Sequence, residues 1–142
     1  KLVSFGEITR ELVQQHVTKD VEYAVFDLSD AISEKNAAKS IEIIQALLNG
    51  GEDAVKIIIT LYNFYRRMFY AATGDCGTEE LSRLFNVKPY AMKRAAQTAS
   101  RYTPAQLKQA LELAARAEKD LRDFSVNDRE TVRALVLNLL CV

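Results

Sequence analysis

Between Asp53 and Ala72 the chain places Ile57, Leu61, Phe64 and Met68 at helical spacing, with Ile58, Tyr62, Tyr65 and Phe69 as a second stripe beside the first. Two adjoining apolar stripes predict a long central helix, apolar nearly all round, with the other elements wrapped about it. Five of the twelve Phe and Tyr residues fall here (Tyr62, Phe64, Tyr65, Phe69 and Tyr70), which concentrates the largest source of burial energy in one element. The β-branched run from Val55 to Thr60 finds no alternating strand pattern to pair with, so it reads as helix.

The flanking segments repeat the helical period. Ile8 to Val17 predicts a short amphipathic helix with Thr9 as N-cap, and Val21 to Ser33 a second one with Val21, Val25, Leu28 and Ile32 on one face. Asn36 is placed to cap a helix from Ala37 to Asn49, with Ile41, Ile44, Leu47 and Leu48 inward, and Gly50-Gly51 supplies the left-handed residue that ends it. The short link to the central helix predicts that these two pack as an antiparallel hairpin. After the loop Thr73-Gly74-Asp75-Cys76-Gly77, Thr78 is expected to cap a short helix carrying Leu81, Leu84 and Phe85. Pro89 opens another helix reaching about Tyr102. Thr103, Pro104 and Gln106 together start a long helix to Phe124, with Leu107, Leu111, Ala114, Ala117 and Leu121 inward. Asn127 to Glu130 forms a further capping box before a last helix with Val132, Leu135, Val136, Leu139 and Leu140 inward. The fold class is therefore all-α, a compact bundle of seven or eight helices.

Composition narrows the function. The chain is 142 residues long and 49% hydrophobic, enough for one domain with a true core. Nineteen Lys and Arg balance nineteen Asp and Glu, so no net charge draws the whole molecule to nucleic acid or to an anionic membrane, and any such binding requires a local patch. Cys76 and Cys141 lie far apart in sequence, which predicts free thiols and a reducing, cytoplasmic setting. No long charge-free apolar run and no signal peptide appears, and the opening residues suggest a piece of a longer chain.

No catalytic, cofactor or metal site emerges. His16 has no ligand partners at metal-binding spacing, neither Cys belongs to a nucleophile motif, and no glycine-rich loop precedes a Lys-Ser or Lys-Thr pair. Glu118, Asp120 and Asp123 alternate with Lys119 and Arg122, the pattern of an exposed helix face. The stretch Glu79 to Ala96 has the shape of a helix-turn-helix, whose second helix would present Tyr90, Lys93, Arg94 and Gln97 to a DNA groove. The competing explanation is ordinary core packing between two helices, with Lys88, Lys93, Arg94 and Arg101 as weak phosphate contacts at most.

In order along the chain, Phe26-Asp27-Leu28-Ser29-Asp30-Ala31-Ile32, Ala46-Leu47-Leu48-Asn49-Gly50-Gly51-Glu52, Leu61-Tyr62-Asn63-Phe64-Tyr65-Arg66-Arg67-Met68 and Val87-Lys88-Pro89-Tyr90 resemble the delta-subunit family of the bacterial DNA polymerase III clamp loader. The resemblance spans essentially the whole chain, with one departure where Asp123-Phe124-Ser125 replaces a Lys common among relatives. It implies that residues 1–20 end the lid of an AAA+ module and that residues 21–142 form a C-terminal helical collar domain. It also implies a non-catalytic role in replication without a cofactor. The implied partners are the tau/gamma and delta prime subunits, the sliding clamp through an N-terminal part absent here, and DNA only indirectly. There is no membrane role. Arg66, Arg67, Arg129 and Arg133 are the expected partner-facing residues, because Arg pairs with carboxylates in fixed bidentate geometry. The alternative is a DNA-binding fragment of a transcription factor.

Overall fold

The computed structural model describes residues 21–74, 76–123 and 127–142. The expected helix over Ile8 to Val17, His16 and the lid remnant at residues 1–20 lie outside them. Among the described residues there are seven helices and no strand: α1 over residues 21–33, α2 (Ala37–Asn49), α3 (Ala54–Thr73), α4 (Thr78–Leu84), α5 (Pro89–Ala99), α6 (Pro104–Asp120) and α7 (Asp128–Leu140).

The helix starts follow side-chain chemistry. Asn36 Oδ1 accepts from Lys39 N at 3.1 Å, Asp53 Oδ1 from Val55 N at 3.0 Å, and Asn127 Oδ1 from Arg129 N and Glu130 N. Thr103 and Gln106 complete a reciprocal capping box, the Thr103 hydroxyl accepting from Gln106 N and the Gln106 amide oxygen from Thr103 N. Thr78 is not the expected cap: Gly77 holds that position and no side chain bonds there. Three helix ends share one device, a left-handed residue just past the helix, at Lys35, Gly51 and Asn86. In each, the following N–H reaches back to a carbonyl in the last turn: Asn36 to Ala31, Glu52 to Leu47 and Val87 to Ser82. α5 stops at Ala99 and α6 at Asp120, both short of the expected ends.

α3 is the axis of the domain. Ala54, Ile57, Ile58, Leu61, Phe64, Tyr65 and Met68 are buried along it, while Ile59, Arg66 and Tyr70 line one exposed face. The helix is thus amphipathic with a broad apolar face rather than apolar all round. Its main neighbours are α6 and then α5. Both bury mostly small residues, Ala110, Ala114 and Ala117 beside Leu107 on α6 and Ala91, Ala95 and Ala99 beside Met92 on α5. Bulk on α3 fits between alanine stripes on its neighbours, which lets the axes approach closely. α1 adds Phe26, whose ring lies 5.1 Å from that of Phe64.

α2 departs from expectation. It packs along α7 instead of doubling back on α3. The left-handed turn at Gly51 (φ 89°) and the extended Asp53 redirect the chain, so the short link joins two helices that diverge. As a consequence Ile41 is 40% exposed instead of inward, while Ile44 and Leu48 join the core. Lys35 Nζ donates to the carbonyls of Leu140 and Val142, pinning the α1–α2 turn to the end of α7, where a cation is favoured by the helix dipole.

Phe64 is 1% exposed at the centre of this packing. Phe64→Ala is expected to lower the urea-derived stability by about 3 to 5 kcal/mol; a change below about 0.5 kcal/mol, the size of a surface effect, would remove α3 from the centre of the core.

Tyr65 and Tyr102 bring their hydroxyls near one another without a well-aligned hydrogen bond. Burial, then the adjacent Tyr102, pushes the Tyr65 pKa well above its ordinary value, and burial raises Tyr102 as well. The native state therefore keeps a proton that the unfolded chain releases near pH ~10, and stability falls as pH rises past that point. Tyr65→Phe should leave neutral-pH stability unchanged or higher, since it deletes an unpaired hydroxyl, and should flatten the alkaline decline in urea midpoints between about pH 8 and about pH 11.

Candidate interaction surface

A polar seam joins α1 to α5. The Asp30 carboxylate accepts from Arg94 at 2.8 Å and from the Thr98 hydroxyl at 2.8 Å, with Arg101 at 3.4 Å. Arg101 also donates to Ser33 Oγ at 2.7 Å and faces Glu34 at 3.8 Å. Arg94 lies 5.3 Å from the Phe26 ring centroid, 3.6 Å from Asp27 and 3.4 Å from the Tyr90 hydroxyl. Partial burial would lower the Arg94 pKa, but the Tyr90 hydroxyl and the Asp30 and Asp27 carboxylates more than offset it and raise it.

This arrangement fixes where the helix-turn-helix residues go. α4 and α5 do have that shape, yet Arg94 and Arg101 are turned onto α1 carboxylates. Ala91, Met92, Ala95 and Ala99 face the core. Tyr90, Lys93, Gln97 and Lys88 remain at the surface. Of the four candidate phosphate contacts, two are matched by internal acids and two stand in solvent.

The four arginines expected at a partner interface do not form one cluster. Arg67 is mostly buried and meets Glu22 at 3.5 Å; burial lowers its pKa, with Glu22 acting in the opposite sense. Arg66, next in sequence, is exposed and lies over the Phe85 ring at 5.4 Å. Arg129 donates to the Leu48 carbonyl at 3.4 Å, tying α7 to the end of α2, and Arg133 is exposed on the same helix. Asp53 caps α3 near that α2 end, and from Asp53 to Arg66 the axis rises roughly 20 Å at about 1.5 Å per residue. The arginines thus fall into two pairs at separate places.

A surface that the hydrophobic pattern does not reveal lies where α3 meets α4. Tyr70 is 42% exposed and packs edge-on against Phe85 at 5.4 Å, with Phe69 6.2 Å away. Leu84, expected inward, is 70% exposed. The short α4 buries only Leu81 and Ser82, and its left-handed end at Asn86 leaves Leu84 on the outside. Arg66 interrupting an aromatic run four residues before Tyr70 is the sequence signal for this face.

Among the described residues no group of His, Cys, Asp and Glu could hold a metal, and no helix is long and apolar enough to cross a membrane. A groove of about 290 Å³ between α6 and α7 is lined by Arg116, Asp120 and Glu130 together with Leu113, Ala117 and Leu135. Charged side chains that join one helix to another, and aromatics left at the surface, are the features of a helical packing module.

Comparison with known proteins names the module. Residues 22–139 match the family described as DNA polymerase III delta subunit, C-terminal domain, and the chain belongs to that family. It is 23% identical over 137 residues to DNA polymerase III subunit delta of Bacillus subtilis (strain 168), covering 94% of this chain and 40% of that protein. The fold superposes on the Bacillus subtilis DNA clamp loader delta protein with a TM-score of 0.78 at 21% identity, over 86% of this chain and 37% of that one. The chain therefore spans well under half the length of the relatives it matches. Kinship with delta subunits sets aside the transcription-factor reading.

Asp30→Ala removes one acceptor shared by Arg94, Thr98 and Arg101. The expected cost is about 1 to 3 kcal/mol in urea unfolding, near the range for hydrogen bonds to a charged group, since Arg94 keeps Asp27 and Arg101 keeps Ser33. Arg101→Ala, at the exposed end of the seam, should cost under about 1 kcal/mol.

Proposed function

We propose that this domain is the C-terminal collar element of a clamp-loader delta subunit, a non-enzymatic packing unit that holds the loader together while the sliding clamp is placed on DNA. The match of residues 22–139 to the delta C-terminal family carries the reading. The make-up of the domain supports it: neutral net charge suits protein contacts better than a DNA groove, and its strongest polar cluster, at Asp30, is internal. On this reading the partners are the tau/gamma and delta prime subunits. Contact with the clamp belongs to the parts of delta that this chain does not span, and DNA is handled indirectly.

The test is assembly. Full-length delta of the same origin, mixed with tau/gamma and delta prime, should form a stable complex on size exclusion, and delta lacking residues 21–142 should drop out of it. Equal incorporation of the truncated protein would defeat the collar reading.

A further inference from the structure

A groove between α1 and α2 lies where the chain enters the described bundle. It has a volume of about 330 Å³ and is lined by Ala24 and Asp27 from α1, by Ile43, Ala46 and Leu47 from α2, and by Glu52 just after it. Ile43 and Leu47 pack on the core yet stay half-buried, so each keeps an open side toward the groove. Val21, at the start of α1, is buried, which fixes the entry point about one turn from Ala24. The groove between α6 and α7, by contrast, takes no residue from α1. Upstream of Val21 the sequence carries the stripe Leu12, Val13 and Val17, and a helix as short as the one expected over Ile8 to Val17 is marginal in water unless another element covers its apolar face.

We infer that the occupant of this groove is the chain's own segment 8–17, running antiparallel to α1 with Leu12 and Val13 over Ala24 and Ala46. Distance selects it. The link Thr18-Lys19-Asp20 spans about 10 Å when extended, and packed helices lie about 8 to 10 Å apart. The link is thus long enough to turn the segment back along α1 and too short to seat its stripe on a face that α1 does not border. Register agrees: at about 1.5 Å per residue, Ala24 and Asp27 lie roughly 5 and 9 Å beyond Val21, while Val13 and Leu12 lie roughly 6 and 8 Å before Val17. A tether this short sets an effective concentration on the order of millimolar, which favours the segment over a free molecule making equal contacts. Ala24 and Ala46 leave room for a close approach. The charged lining, Asp27 and Glu52, is all acceptor, and His16, four residues after Leu12, brings an N–H donor to the same face. Whatever precedes residue 8 then leaves the bundle in a direction set by α1 and α2. Such packing holds with or without the collar role.

The experiment measures proximity within the full 142-residue chain by amide NMR. In a Cys76→Ser, Cys141→Ser background, a nitroxide on Gln45→Cys, an exposed position beside Ala46, should broaden the amide signals of Leu12, Val13 and Val17. The loss of intensity should persist on dilution and should be absent when the nitroxide sits on a second, isotopically unlabelled chain mixed with the observed one. Leu12→Asp with Val13→Asp should abolish it at unchanged circular dichroism, and should shift the amides of Ile43 and Leu47 while leaving those of Leu113 and Asn138 in place. Should a variant disturb the fold, Glu42→Cys carries the nitroxide instead, and Leu12→Ser with Val13→Ser gives the same reading in milder form. Full signal intensity at Leu12, Val13 and Val17 in the nitroxide-bearing chain overturns the proposal. So does broadening that survives loss of the stripe, and broadening found only in the mixed sample assigns the groove to a second copy and overturns it equally.

Discussion

The fold depends on a size match: large side chains on one helix against small ones on two others. Ile57, Leu61, Phe64, Tyr65 and Met68 project from α3 toward alanines on α5 and α6. Interiors are packed to crystal-like density, so these alanines work by leaving room and any added methyl there would push α3 outward. The other helices follow from this core. α1 seats Phe26 on Phe64, and α7 completes the enclosure while giving α2 a place to lie.

A second constraint is electrostatic and joins residues far apart in sequence. Asp30 collects Arg94, Thr98 and Arg101 from an element more than sixty residues away. Each donor alone adds little, because the seam is only partly buried and water competes for it. Its effect is on orientation. Fixing α1 against α5 determines which α5 side chains remain outside, and it matches two basic residues with an acid.

Local chemistry was legible in the sequence and distant pairing was not. Asn36, Thr103 and Asn127 each cap the helix they precede as expected, because a cap is decided by bonds within three residues, whereas Thr78 yields that place to Gly77. The apolar stripe of α3 was visible for the same reason. The partner of α2 was hidden, since a short link reads as a hairpin unless a left-handed Gly51 and an extended Asp53 set the next helix on a new course. The alanine stripes of α5 were missed because Ala is too weakly hydrophobic to mark a face, and Leu84 was assigned inward because spacing cannot show that α4 offers only one buried turn. Resemblance of ordered motifs located the family where no single motif could. The four arginines chosen as an interface could not be sorted by sequence, since an Arg matched by Glu22 and one lying over Phe85 are adjacent letters.

That adjacency bears on how a neutral domain offers a specific surface. With equal numbers of acids and bases, the net charge carries no information about partners, and what matters is which charges are already matched. Pairing Arg67, Arg94 and Arg101 internally removes them from the field that an approaching molecule meets. Arg66, one position from Arg67, sits about 100° round the helix from it at the usual ~3.6 residues per turn, and that rotation alone moves it from a carboxylate to the half-buried ring of Phe85. A single helix therefore holds its domain together with one guanidinium while leaving the next at the surface, and the register of α3 against α1 decides which does which.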